Sequence, residues 1–329
     1  MLLERVKVPL PKVLDRMGTL QAQYAPSMYI GLWTRMDGFE RDQLDRALER
    51  RSVAQGTLMR STIHLVSKAD YWPAAIGIRR GRRESWLKYG PRRDYTAAQM
   101  SAHARKLRAA LGDGTMSRKE IHELLGKDSI VTNGVNAWLD LVRAPPSGTW
   151  ERRRADLYAA AEQWLGPPPE IDETDGKERL VRRYLGAFGP STAAEIADWA
   201  GLQPKSLGQA IERIKLRRFT AEDGAELLDL PRAPLPDADT PVPVRLLPTW
   251  DATLLVHARR TQILPEEHRP KVFHTKTPQS VPTFLVDGAV AGTWRHERGR
   301  VELRPLVKLG RADREQLDEE GHRLAAFHV

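Results

Sequence analysis

Two glutamines, Gln21 and Gln23, flank one small residue, Ala22, in a stretch otherwise made of packing residues, "GTLQAQYAPSMYIGLW". Glutamine is a poor acid, a poor base and a poor nucleophile. Its amide does offer one acceptor oxygen and two donor hydrogens. Two amides converging on one water hold it in line without adding charge. The backbone decides whether they converge: a strand points both to one face, a helix splays them, and a turn aims both inward. Taken alone, two glutamines near a helix end are ordinarily surface or capping residues.

Other chemistry finds little support. The chain has no cysteine, which excludes disulfides, thiolate metal sites and cysteine nucleophiles. Its nine histidines show no HExxH or paired ligand spacing, so neither a metal nor another cofactor is expected. There is no GxxxxGK[ST] loop for a nucleotide motor. No lysine lies near the glutamines beyond Lys12, which disfavours a Schiff-base mechanism.

The elements that position these residues belong to a chain of 329 residues, 29% charged and 41% hydrophobic, enough for several small folded domains. No apolar run approaches the ~18 residues of a membrane span, and "MLLERVKVPLPKVLD" lacks a signal-peptide core. A cytoplasmic, nucleoid-associated protein is the expectation. The net charge of +9 and pI near 9.8 point to a polyanionic partner. Seven basic residues fall between Arg79 and Arg93 against one acid, Glu84, with Tyr71, Trp72, Trp86 and Tyr89 interleaved. Arg79, Arg80, Arg82 and Arg83 are therefore candidate phosphate contacts, the alternative being a solvated helix face. Smaller clusters stand at Arg152 to Arg154, Arg182-Arg183, Lys215 to Arg218 and Arg259-Arg260.

Two segments look like copies of one unit. "MSRKEIHELLG" and "PSTAAEIADWAG" each set a hydroxyl, Ser117 and Ser191 or Thr192, three or four residues before a glutamate, Glu120 and Glu195. That is a capping-box start. A second helix is predicted around Val135 to Val142 in one copy and Ser206 to Ile214 in the other. A strand, a polar turn at Gly148 or Gly224 and another strand follow. The two glycines lie 31 and 33 residues after Ser117 and Ser191. Helix, turn, helix, hairpin is the winged helix. A less regular copy opens the chain, with helices over Val13 to Leu20, Pro26 to Trp33 and Asp42 to Arg51 and β-rich pieces ending at Val66. Linkers at Gly166 to Gly176 and Pro231 to Pro243 separate the second unit from the third and the third from the last part, and the expected domains are 1–110, 111–170, 171–235 and 236–329. The last part reads as strands, "VRLLPTW", "ATLLVHA", "TFLVDGAVAGTWRH" and "GRVELRPL", with hairpin turns at Asp287-Gly288 and at Glu297 to Arg300, and a closing helix over Ala312 to Phe327. The expected class is α+β, helix-rich: three tandem winged-helix units plus a C-terminal β-hairpin module.

"GTLQAQYAPSMYIGLWTRMDGF", "LMRSTIHLVSKADYW", "LLPTWDATLL" and "VPTFLVDGAVAGTWR", in that order and spacing, resemble the AlkZ-like family of bacterial winged-helix DNA glycosylases, the HTH_42 superfamily. The resemblance covers nearly the whole chain. It implies three winged helices around a concave DNA-binding channel, a β-hairpin that probes the duplex and a QΦQ active-site motif, Φ being aliphatic. Members excise N7-alkylated purines, and the founding branch unhooks interstrand crosslinks. A sister branch has aspartate at the third motif position, so Gln23 places this chain with the glutamine branch. Three departures stand out: Ala22 is smaller than the usual aliphatic residue, the chain starts close to the first motif, and "HARRTQ", His257 to Gln262, replaces an expected acidic-arginine pattern.

On this resemblance Gln21 and Gln23 become the catalytic candidates and the activity a monofunctional DNA glycosylase. Its partner would be double-stranded DNA carrying alkylated purines, bound by a monomer with no membrane association. Arg60, Thr62 and His64 in "RSTIHLV" would share a strand face. Either Thr62 and His64 line a lesion pocket or grip phosphate, or they are strand-pairing residues with a satisfied histidine. Asp251 in "PTWDATLL" reads more readily as a turn cap than as a cleft residue. Asp287 and Gly288, with Arg298 and Arg300 in the neighbouring turn, are candidates for the DNA probe. The alternatives are a non-catalytic winged-helix regulator, which reads bases with a recognition helix and often dimerises, and a protein that binds damage without cutting.

Overall fold

The computed structural model describes residues 1–88, 94–255, 261–273 and 280–329. The class is α+β and helix-rich. The chain opens with α1 (Leu10–Met17), which stops where Gly18 turns left-handed, and a short strand β1 (Leu20–Gln21). α2 (Ala25–Arg35) and α3 (Arg41–Glu49) follow, then the hairpin β2 (Val53–Thr57) and β3 (Ile63–Ser67) and the long α4 (Lys68–Lys88). α5 (Ala97–Leu111) leads to β4 (Thr115–Ser117), α6 (Arg118–Leu124) and α7 (Ser129–Gly134), then β5 (Leu141–Arg143), β6 (Leu157–Ala160) and α8 (Ala161–Leu165). α9 (Glu173–Phe188), α10 (Ala193–Ala200) and α11 (Gly208–Glu212) precede the hairpin β7 (Arg217–Thr220) and β8 (Glu226–Asp229). The last part holds β9 (Arg245–Leu247), α12 (Ala252–Leu255), α13 (Arg269–Val272), β10 (Thr283–Val286), β11 (Ala289–Glu297), β12 (Arg300–Pro305) and α14 (Arg311–His328).

Both capping boxes form. Ser117 Oγ accepts from Glu120 N at 3.2 Å while the Glu120 carboxylate accepts from Ser117 N at 2.7 Å. In the other copy the cap is Thr192, and Ser191 instead donates its hydroxyl to Glu195. The second helix of the first copy lies earlier than predicted. Asp128 caps α7 by accepting from Ile130 N and Val131 N, and a 3-10 turn over Val135–Ala137 ends the segment, so Val142 falls in β5. "ATLL" is a helix, not a strand, because the Asp251 carboxylate accepts from Thr253 N at 2.9 Å and starts a turn there. The "VHA" that follows lies outside the described residues.

The sheets join parts far apart in sequence. β1, β3, β2, β5, β6 and β4 form one six-stranded sheet in that order, with Gln55 opposite Arg143 and Gly56 opposite Val142 where the two hairpins meet. β12, β11, β10 and β9 form a separate antiparallel sheet. One core packs α1–α3 against that C-terminal sheet and α14: Leu14, Met28 and Leu32 meet Leu246, Phe284, Trp294, Leu317 and Leu324. A second core gathers α4, α9 and α10, and a third gathers α5–α7 around Trp86.

Candidate active site

The glutamine motif falls on a junction. Gly18 is left-handed and Thr19 has φ of 106°, so the chain reverses after α1 and pairs briefly with β3. Gln21 sits opposite His64, and Ala22 N donates to Ile63 O at 2.8 Å. The backbone then leaves the strand, and α2 begins at Ala25. The two amides therefore do not share a strand face. Gln21 is buried, at 7% exposure, whereas Gln23 is exposed.

Each amide oxygen is held by a different donor. Gln21 Oε1 accepts from Arg60 Nη2 at 3.2 Å, and Gln23 Oε1 accepts from Ile63 N at 3.4 Å. Among the described residues no hydrogen bond joins the two glutamines. Each oxygen keeps a second lone pair, and both NH2 groups remain as donors.

Arg60 does not lie on the strand. It occupies a 3-10 turn, Met59–Ser61, between β2 and β3, with φ of 52°, followed by Ser61 at 58°. The alternation expected of Arg60, Thr62 and His64 therefore does not operate, because β3 starts only at Ile63. Two consecutive non-glycine residues in the left-handed region carry backbone strain, which clusters where function over-determines geometry. The other guanidinium nitrogen of Arg60 donates to Trp199 O near the end of α10. Arg60 thus ties Gln21 to an element far along the chain. Burial lowers its affinity for the proton, partly offset by Asp198.

His64 is buried at 1% exposure. Its Nδ1 lies 3.1 Å from Thr62 O, which only a protonated nitrogen satisfies, so the neutral ring leaves Nε2 bare. Burial, and then the nearby Arg60 charge, push its pKa down to about 3. The imidazole is neutral at ordinary pH and cannot serve as a cationic phosphate grip. Thr62 turns its hydroxyl back to Met59 O at 3.2 Å.

The basic helix is knitted into the protein more than a solvated face would be. Arg79 pairs with Asp140 at 2.8 Å, and Arg83 donates to Ala137 O at 2.8 Å. Arg80 is exposed and meets Glu173 at 3.3 Å. Half-buried Arg82 donates to Thr57 O and to Asn136 Oδ1. Tyr71, Trp72 and Trp86 are buried core residues, and Tyr89 lies outside the described residues. The smaller clusters also carry partners: Arg182 pairs with Glu178, Arg183 with Asp70 and Asp15, Arg217 with Asp229, Arg218 with Glu226, and Arg152 and Arg154 with Asp156. Arg259 and Arg260 lie outside the described residues, as does most of "HARRTQ".

Asp251 is a structural anchor. Its carboxylate takes both guanidinium nitrogens of Arg35, at 2.8 and 2.9 Å. Burial opposes its ionisation, but Arg35 and the Thr253 hydrogen bonds outweigh it and hold the carboxyl below its ordinary range.

Both C-terminal turns have two left-handed residues, Asp287 and Gly288 at 49° and 78°, Arg298 and Gly299 at 50° and 74°. This is the two-residue hairpin whose twist matches the strands. Arg298 and Arg300 are exposed, with no ion pair among the described residues. The base of this hairpin is fixed by Trp294 Nε1 donating to Leu247 O at 2.9 Å. Its apolar residues share the core that holds Ala22.

Gln23, Ser61 and Ile63 line a cleft of about 470 Å³ together with Arg82, Arg118, Arg143, Asn133, Asn136 and Tyr158. Arg118 and Arg143 were not singled out from the sequence. The available signal was Arg143 itself, a charged residue inside the otherwise apolar "LVRA" strand. No group of His, Asp or Glu among the described residues could hold a metal ion, and no described helix is long and apolar enough to cross a membrane.

A helix-rich α+β chain with a strained turn, two oriented amides and an arginine-lined cleft thus defines the class of site. Residues 14–327 match the family described as DNA glycosylase AlkZ-like, and the chain belongs to that family. It is 24% identical over 311 residues to the interstrand DNA cross-link repair glycosylase of Streptomyces sahachiroi, covering 86% of this chain and 81% of that protein. The solved structure of Streptomyces sahachiroi DNA glycosylase AlkZ superposes with a TM-score of 0.85 at 20% identity, covering all of this chain and 93% of that one, which establishes the common fold.

Proposed function

We propose that this protein is a monofunctional DNA glycosylase that hydrolyses the N-glycosidic bond of N7-alkylated purines, with N7-linked interstrand crosslinks at the bulky end of its range. The observation that carries the reading is the motif at the cleft in a chain of this family: Gln21 buried and oriented by Arg60, Gln23 exposed at the cleft wall. The related Streptomyces protein, whose name specifies cross-link repair, supports the crosslink part.

The chemistry suits amides. Alkylation at N7 makes guanine cationic, so the base departs neutral and a strong general acid is unnecessary. What remains is to stabilise an oxocarbenium-like sugar and present a water. The free lone pairs and NH2 groups of Gln21 and Gln23 position that water, and their neutrality tolerates a cationic base. A carboxylate in place of Gln23 would add electrostatic stabilisation. An amide enzyme therefore depends more on the lability of the lesion itself.

We read the helix–helix–hairpin runs ending in β2–β3, β5–β6 and β7–β8 as three winged-helix units within 1–110, 111–170 and 171–235. They line one DNA channel, with residues 236–329 adding the hairpin module, and the protein acts as a monomer. The test is incubation with duplex DNA carrying N7-methylguanine, followed by alkali cleavage at abasic sites. Strand breaks at the lesion are expected. Tight binding with no breaks would leave a damage-binding protein, and binding indifferent to the lesion would leave a regulator.

A further inference from the structure

We propose that the cleft beside Gln23 is a binding site for a single phosphodiester of DNA, gripped by Arg82, Arg118 and Arg143. The inference rests on the reading that DNA is the partner, and it assigns to three side chains the contact that fixes the strand next to Gln23.

The argument starts from charge balance. No carboxylate lines the cleft among the described residues. Each guanidinium is held by a neutral oxygen. Arg82 donates to Thr57 O and to Asn136 Oδ1 at 3.2 Å, Arg118 to Asn133 Oδ1 at 2.7 Å, and Arg143 to Thr57 Oγ1 at 2.7 Å. Bracing of this kind orients a cation without neutralising it. The acid whose charge acts on Arg82 is Asp140, which is already paired with Arg79 at 2.8 Å. Arg143 is buried, with its Nε lacking any partner among the described residues. Its guanidinium stacks over the Tyr158 ring at 5.1 Å.

Three cations lining one cleft with no carboxylate in its walls among the described residues are costly, the more so where one is buried. Burial pulls Arg82 down to about 10 and lowers Arg143 as well, yet both stay protonated at neutral pH. An anion entering the cleft removes that cost. Planar guanidinium forks match phosphate oxygens in pairs, which makes phosphate the fitting anion. Gln23 and the left-handed Ser61 line the same cleft, so a phosphodiester seated here brings its strand beside the Gln23 amide. The sequence hid the site because Arg82, Arg118 and Arg143 come from α4, α6 and β5 and meet only in the fold.

The test uses the full chain and an undamaged labelled duplex, so it does not depend on excision. Arg118→Ala removes an exposed side chain and should fold. It should weaken binding about tenfold, as loss of one charge-assisted contact does, and reduce the salt slope by about one. Arg143→Gln, with its melting temperature checked, should do the same. A scan of single methylphosphonate linkages should find one position that weakens the wild type about tenfold and weakens Arg118→Ala no further, the signature of a shared contact. Wild-type binding by both folded variants, or a flat scan, overturns the proposal. So does a flat scan in which millimolar inorganic phosphate raises the melting temperature of the wild type but not of Arg118→Ala, since the cleft then serves free phosphate. If the wild type excises N7-methylguanine while the scan is flat, this inference fails and the glycosylase reading stands. If the scan is positive and no excision occurs, the phosphodiester site stands and the glycosylase reading fails.

Discussion

Gln21 and Gln23 meet solvent differently, so their removal should be felt differently. Gln21 supplies the acceptor for Arg60 inside the protein. Gln21→Ala should cost roughly 1 kcal/mol of stability through that lost hydrogen bond, while Gln23→Ala, at an exposed position, should cost little. Both should slow excision from N7-methylguanine DNA by ~10²- to 10⁴-fold while still binding it. Wild-type rates in either would remove the water-holding role. His64, opposite Gln21, makes a second prediction. Its native pKa is pushed down to about 3 from an ordinary 6.5. Between those values the unfolded chain holds a proton that the native state refuses. The contribution of this ring is therefore level well above pH 6.5 and falls on acidification through and below it. Denaturant midpoints measured between pH 7 and 5 should fall less steeply in His64→Gln. An unchanged slope would place the proton elsewhere; His328, lowered chiefly by its own burial, adds a contribution of the same sign. The glutamines were legible in the sequence through their motif. The role of Arg60 was not, because its left-handed φ breaks the alternation that its neighbours imply.

Elements were legible where they are local. The capping boxes and the Asp287-Gly288 and Arg298-Gly299 turns depend on residues within three or four positions, and the fold keeps them. The second helix before β5 lies earlier than its apolar pattern predicts because its start is set by the Asp128 cap, and its end packs on Trp86: a Cβ on Gly134 would lie 2.3 Å from that ring. The β11–β12 hairpin carries a prediction of this scale. A crosslinked guanine is tied to the other strand and cannot be swung fully out, so a glycosylase acting on it must reach the bond with the lesion near the duplex. A probe entering a groove would serve, and this hairpin has exposed Arg298 and Arg300 at its tip and a base anchored by Trp294. Shortening Glu297 to Arg300 should leave the sheet intact and slow excision of a bulky N7 adduct more than of N7-methylguanine. Equal, wild-type rates on both substrates would rule the hairpin out as the probe.

The whole molecule depends on contacts that no local pattern announces. The sheet order β1-β3-β2-β5-β6-β4 and the core shared by α1–α3 with α14 bring distant segments together. So does the crossing of α4 and α9, where Gly77 and Gly176 put backbone against backbone. A Cβ on Gly176 would stand 2.6 Å from Gly77 N and 2.7 Å from Pro73 O, neither of which is a side chain able to rotate away. Around the crossing, Arg179 and Arg183 of α9 grip Asp70 of α4, at 2.7 Å for Arg179, and Arg183 also reaches Asp15 of α1 at 3.1 Å. From α9 the contact continues outward. Tyr184 packs on Trp199 with ring centroids 5.4 Å apart, the Trp199 carbonyl holds Arg60, and Arg60 holds Gln21. In an open helix, alanine for glycine gains up to ~1 kcal/mol. Here the helices must part, and overpacking of this kind costs roughly 1–3 kcal/mol. Gly176→Ala should therefore lower the melting temperature and also slow excision, since moving α9 disturbs the chain of contacts that orients Gln21. Gly186→Ala is the control on the same helix, because its Cβ would meet only Leu230 Cδ1 at an ordinary 3.6 Å. It should leave the rate unchanged and the stability equal or higher. If Gly176→Ala melts lower yet excises at the wild-type rate, the crossing is purely structural and Gln21 is oriented by Arg60 without help from α9.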